Sequence, residues 1–178
     1  PKSLKPRILA TDGTDLTNWI FGAAQDFNCP VVGLLALLIA ESGLNTKAER
    51  WSRRAQEAQQ WIPAAKREGV GSQAWWQLQR IIDTEWPDIS FGLGQRIVLY
   101  HYYGNREPTV ANCLAVRQAV FDYPDEDIRR AAEKYAWCLR TASAGGELLA
   151  GDDWLLEAMY IYNWGHSPVQ EERQTLAF

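Results

Sequence analysis

Glu41 is the residue whose neighbours best suit it to acid chemistry. It closes the apolar run Val31-Val32-Gly33-Leu34-Leu35-Ala36-Leu37-Leu38-Ile39-Ala40 and is followed by Ser42-Gly43. Gly43 suits the left-handed residue that ends many helices, so the carboxyl is expected at a helix C-terminus. There the negative end of the helix dipole disfavours a charged carboxylate, and apolar neighbours disfavour it by desolvation. Both effects favour the protonated form that a general acid needs. A solvated glutamate at a helix end is the plainer alternative, and Glu41 alone does not separate the two. Metal chemistry has little to work with. There are two histidines, His101 and His166, and no ligand spacing, so neither a metal nor a cofactor is expected. Cys29, Cys113 and Cys138 are an odd number in apolar stretches, where a free thiol behaves as a small hydrophobe.

The elements that must position Glu41 read as helices. Leu16 to Phe27 puts Trp19, Ile20, Ala23, Ala24 and Phe27 on one face. Pro30 then opens the apolar run, which is about half the roughly 20 residues of a membrane span and reads as a helix buried at the centre of a domain. Lys47 to Ile62 carries Trp51, Ala55, Ala58 and Ile62 on one stripe, with Pro63 expected to close it. Ser72 can cap a short helix bearing Trp75, Leu78, Ile81 and Ile82. Trp86 to Ser90 reads as a loop, Ser90 to Gln95 as a glycine-punctuated turn, and Ile97-Val98-Leu99 as an apolar segment. Thr109 to Phe121 is a helix, and Asp122 with Pro124, Asp125, Glu126 and Asp127 opens a longer one whose buried stripe is Ile128, Ala131, Ala132, Tyr135 and Leu139. After Gly145-Gly146, a last helix runs from Asp152 or Asp153 toward Asn163. Strand alternation is nowhere convincing. The expectation is one all-α, or α-dominated α+β, domain over residues 1–178.

Composition narrows the function classes. Of 178 residues, 47% are hydrophobic and 22% charged, which suits one globular domain and excludes disorder. A net charge of −4 gives no electrostatic draw to nucleic acid, so none is expected as a partner, and no membrane span is expected. Nine tryptophans and seven tyrosines suit either a core or a carbohydrate platform, and composition alone favours the core. The sole methionine is Met159, so the chain reads as a processed form or as a domain excised from a larger protein.

Four segments carry a resemblance. Pro30 to Ala48 reads PVVGLLALLIAESGLNTKA, an apolar helix ending in Glu-Ser and a polar turn. Phe91-Gly92-Leu93-Gly94-Gln95 is similar to a Gly-Leu-Met-Gln segment. Asp122-Tyr123-Pro124-Asp125-Glu126-Asp127-Ile128-Arg129 is similar to an Asp-Pro-x-x-Asn-Ile helix start. Ala158-Met159-Tyr160-Ile161-Tyr162-Asn163-Trp164-Gly165 is similar to Ala-x-x-x-Tyr-Asn-x-Gly. In this order, over roughly residues 16 to 167, they resemble the soluble lytic transglycosylase family, glycoside hydrolase family 23 of the lysozyme-like superfamily.

The resemblance implies a lysozyme-like catalytic domain acting on peptidoglycan glycan strands, hence in the periplasm, outside the cell or on a virion. Glu41 would protonate the oxygen linking N-acetylmuramic acid to N-acetylglucosamine. It would then accept the proton of the muramic 6-hydroxyl as that hydroxyl closes a 1,6-anhydro ring. Tyr162 matches the tyrosine whose hydroxyl lies by the cleft, and Gln95 the glutamine that can bond an acetamido group. Ser42 could orient the acid, although a local backbone bond serves it equally. Asn163 is a substrate-side candidate for which a helix cap is the stronger reading.

Three departures qualify the match. Gly94 stands where the family has Met, and its backbone can approach a sugar closely. Trp164 replaces a small residue and could narrow the cleft or stack on a sugar. A tryptophan-rich insertion, approximately 49–89, separates the first two segments; a helical hairpin with its own small core is the reading preferred for most of its tryptophans. It also carries Glu49, Asp83, Glu85 and Asp88. Of these Asp88 is the best candidate for a second carboxylate that would position water and give a muramidase, against the usual local turn bonds of a loop Asp. A wall-binding module without catalysis and a chitin-directed enzyme are the competing readings.

Overall fold

The computed structural model describes residues 6–51, 54–85, 89–97, 107–144, 158–159 and 161–162. Six helices dominate them: α1 (Thr17–Asp26), α2 (Val31–Ser42), α3 (Ala55–Glu68), α4 (Gln73–Glu85), α5 (Val110–Asp122) and α6 (Pro124–Ala144). Ala158, Met159, Ile161 and Tyr162 are helical as well. Three short antiparallel strands, β1 (Glu49–Trp51), β2 (Ile89–Phe91) and β3 (Arg96–Ile97), pair in the order β1-β2-β3. The fold is α-dominated. Strands of two or three residues are too short to show alternation, and β2 is buried throughout, so the sequence pattern hid all three.

The starts of α4, α5 and α6 follow the chemistry of their first residues. Ser72 Oγ accepts from Trp75 N at 3.1 Å ahead of α4, and Thr109 Oγ1 accepts from Asn112 N at 3.2 Å at the start of α5. Pro124 opens α6, with Asp125, Glu126 and Asp127 in its first turn, where the helix dipole favours acids. Two expectations change. Trp51 belongs to β1 rather than to the stripe of α3. Pro63 does not close α3, which continues to Glu68 with Pro63 exposed; burial of Ala58, Ile62 and Ala65 on the opposite side outweighs the one backbone bond that proline removes.

Two apolar cores form among the described residues. The first joins α1, α2 and α6 through Ile20, Leu34, Leu37, Leu38, Ile128 and Tyr135, and takes in Leu93, Ile161 and Tyr162. The second joins α3, α4 and α5 to the sheet, around Trp51, Leu78, Ile81, Phe91, Val116 and Val120. Trp51 is fully buried, Trp61 and Trp75 are half-buried against that second core, and Trp76 is exposed. The α3–α4 hairpin thus shares its core with α5 and β2 instead of keeping one to itself. α2 is not buried all round: Val32 and Ile39 are 79% and 50% exposed, because it packs on α1 and α6 with one face only. No helix among the described residues is long and apolar enough to cross a membrane.

Candidate active site

Phe91 and Leu93 flank Gly92, where β2 gives way to a turn that sits on the seam between the two cores. The Phe91 ring meets Trp51 edge-on, 5.4 Å between centroids, and Phe121 at 6.3 Å. Leu93 points into the other core. Gly92 between them has φ +81°, a left-handed conformation that glycine adopts without penalty. A Cβ there would meet Val120 Cγ1 and, at 2.5 Å, Asp127 Oδ2. Glycine is required at 92 on both counts.

The next two residues of the turn are held from a distance. Gly94 N donates to Asp127 Oδ2 at 3.2 Å, and Gly94 O accepts from the Tyr162 hydroxyl at 3.0 Å. Asp127 is fully buried in the first turn of α6, and Tyr162 is 4% exposed. Lys134 Nζ lies 4.3 Å over the Tyr162 ring and donates to Tyr162 O at 2.8 Å. The Gln95 amide turns back on its own turn: Nε2 donates to Gly92 O at 2.9 Å, and Oε1 accepts from Ser90 Oγ at 3.0 Å. Those bonds hold Gln95 at φ +42°, an uncommon conformation for a side-chain-bearing residue.

Glu41 lies half-buried in the last turn of α2, one residue before its end. Gly43 is the left-handed terminator the sequence indicated, with φ +60° and its N–H bonded to Ile39 O at 2.8 Å. Ser42 Oγ donates to Leu38 O at 2.8 Å, so its hydroxyl proton is used along the helix. The loop that follows is braced by the N-terminal segment. Thr11 N donates to Leu44 O at 3.1 Å, and the buried Thr46 hydroxyl donates to Asp12 Oδ2 at 2.7 Å. Where that loop enters β1, Ala48 O accepts from Gly92 N at 2.9 Å.

The four segments singled out in the sequence therefore meet at one turn. The loop after the Glu41 helix reaches Gly92, and the start of α6 and the Tyr162 helix both reach Gly94. Asp88, Asn163 and Trp164 lie outside the described residues. Of the other acids considered for a second carboxylate, Glu49 is bonded to Arg117 and, at 2.9 Å, to the Trp51 indole N–H. Asp83 is exposed and accepts from Gln79 at 2.8 Å. Glu85 ends α4, half-buried.

Asp127 is the residue that sequence reasoning passed over. The sequence reading places it with Asp125 and Glu126 as an acid favouring the start of α6, in the segment similar to Asp-Pro-x-x-Asn-Ile, and gives it no part in the site. A signal was present, since Ala131 and Tyr135 mark a buried stripe at i, i+4 spacing that runs back one turn onto Asp127. A carboxylate on a buried stripe needs hydrogen-bond partners, and Gly94 N supplies one.

No protein-family model, curated protein or solved structure matches the chain.

Proposed function

We propose that this chain cleaves the β-1,4 bond between N-acetylmuramic acid and N-acetylglucosamine in peptidoglycan, as a lytic transglycosylase. The observation that supports the reading best is the hydrogen bond from Tyr162 to Gly94 O, across 68 residues of sequence. It joins two segments selected for their likeness to one family, and Asp127 brings a third onto the same glycine.

In this reading Glu41 gives its proton to the glycosidic oxygen as the bond to muramic C1 breaks, and the sugar develops oxocarbenium character. The muramic 6-hydroxyl closes on C1, and its proton passes to Glu41. The products are a strand beginning with a free 4-hydroxyl and one ending in 1,6-anhydromuramic acid. No water is consumed and the acid is restored. The occupation of Glu49 by Arg117 and Trp51 favours an internal nucleophile over a hydrolase built on that residue. The Tyr162 hydroxyl proton is already given to Gly94 O, so Tyr162 can meet an acid or a sugar hydroxyl only as an acceptor. Such an enzyme works on the cell wall, in the periplasm, outside the cell or on a virion.

Digestion of purified peptidoglycan, followed by mass analysis of the released muropeptides, tests the proposal. The expected products are lighter by one water than reducing-end muropeptides and absent with Glu41→Gln. Full-mass reducing ends would replace the transglycosylase with a muramidase. Release of nothing by either protein, with glycan binding retained in both, would make the chain a wall-binding module.

A further inference from the structure

We infer that Asp127 is a positioning residue that, with Tyr162, fixes the Gly94 turn of the site. The hold on Gly94 rests on geometry alone; its effect on turnover rests on the function proposed above. Both peptide groups flanking Gly94 are taken by side chains remote in sequence. The N–H goes to Asp127 Oδ2 and the carbonyl to the Tyr162 hydroxyl, on opposite sides of one Cα. Gly94 is buried, as are both side chains that grip it. Neither polar group of Gly94 is therefore offered to a sugar, and the glycine serves the site by its fixed place in the turn.

The grip has a plain physical reason. Glycine is the least constrained residue, and Gly92 and Gly94 alternate with Leu93 in the turn. Leu93 anchors it to one core and Phe91 to the other, but apolar contacts do not fix the orientation of the peptide planes between them. Two directional bonds from α6 and the Tyr162 helix do. They carry that orientation forward to Gln95, whose Nε2 has a second hydrogen beyond the one given to Gly92 O. Misplacing a substrate-positioning element by about 1 Å costs up to about a hundredfold in rate.

Amide hydrogen exchange by NMR, on the whole chain, reads the grip without reference to activity. In the unmodified protein the Gly94 amide is expected to be protected as well as the core amides of α6; rapid exchange there overturns the inference. In Asp127→Ser, whose oxygen stops one atom short of the carboxylate oxygens, Gly94 protection is expected to disappear while the α1 and α2 amides keep theirs. Asp127→Asn keeps an acceptor of the same reach and is expected to retain the protection. Turnover of peptidoglycan should follow the same order, falling about tenfold or more in Asp127→Ser and staying within about threefold in Asp127→Asn. Lost protection with full turnover would overturn the positioning role. If the unmodified protein turns over no peptidoglycan while the exchange pattern holds, the proposed function fails and the grip on Gly94 stands.

Discussion

Replacing Gly92 by alanine tests the geometry of the turn most directly, because the structure predicts two separate costs. At φ +81° a side chain crowds the following carbonyl, which costs about 1–2 kcal/mol. The new methyl would also lie against Val120 Cγ1 and 2.5 Å from Asp127 Oδ2, about 1 Å or more inside ordinary contact. Neither neighbour yields easily: Val120 is packed in the second core, and Asp127 is fixed in a helix and bonded to Gly94. Overpacking of this kind costs about 1–3 kcal/mol. Alanine recovers about 0.4–1 kcal/mol by narrowing the unfolded ensemble. The net expectation is a loss of about 1–5 kcal/mol, set against a typical domain's stability of about 5–15 kcal/mol. Urea unfolding with linear extrapolation measures it. Gly71→Ala is the matched control, with φ +90° and no atom within 4 Å of the added methyl, so it bears the backbone cost alone. A Gly92→Ala protein that loses no more stability than Gly71→Ala would refute the claim that Val120 and Asp127 close over the turn.

Two further predictions concern the elements around the site. Tyr135 is fully buried on α6, its hydroxyl has no hydrogen-bond partner among the described residues, and a Cβ on Gly33 of α2 would strike that hydroxyl. Burial also pushes its pKa up to about 12. Tyr135→Phe should leave urea stability unchanged or raise it by up to about 1 kcal/mol. Gly33→Ala should cost about 1–3 kcal/mol in the unmodified background and less in the Phe background, and equal losses in the two would place the helix contact elsewhere. Asp12 is held down to about 2, first by the Thr46 hydroxyl and then by the Thr14 N–H. A lowered folded pKa stabilises fully above the ordinary value of 3.8 and loses that contribution as pH falls through about 2. Asp12→Asn should therefore flatten the fall in unfolding midpoint between about pH 4 and pH 2. Water screens this exposed carboxylate, so the difference stays below about 1 kcal/mol; identical pH profiles would show that the Thr46 bond does not brace the loop after α2.

Legibility in the sequence followed the range of the interactions. The terminator Gly43, the cap Ser72 and the acidic opening of α6 were readable because each acts within four residues of the backbone group it serves. The stripe Ile128-Ala131-Ala132-Tyr135-Leu139 was readable because 3.6-residue periodicity survives in any buried helix face. The sheet was not, since Glu49 pairs with Phe91 and that register is decided by partners some forty residues away. The continuation of α3 through Pro63 was missed for a related reason: local proline chemistry argued for a stop, while burial of Ala65 beyond it argued for continuing. Gln95 illustrates a third kind of limit. Its amide suits a sugar and a turn equally by residue type, and only the positions of Ser90 and Gly92 O show that the turn takes two of its bonds.

The seam between the two cores of the described residues explains why the candidate site lies here rather than inside either one. Successive residues of an extended segment point to opposite sides, so Phe91 and Leu93, two apart, would share a face if the strand simply continued. The left-handed Gly92 breaks that pattern and sends Leu93 into the other core. One glycine thus keys the sheet side of the molecule to the helix side that carries Glu41 and Tyr162. The turn cannot move without unseating an aromatic ring from one core or a leucine from the other, and its peptide planes are set by Asp127 and Tyr162. A turn built this way is held by packing on both sides and by two directional hydrogen bonds. Its weak point is equally specific: any substitution that fills the space over Gly92 displaces Asp127, and with it the bond that orients Gly94.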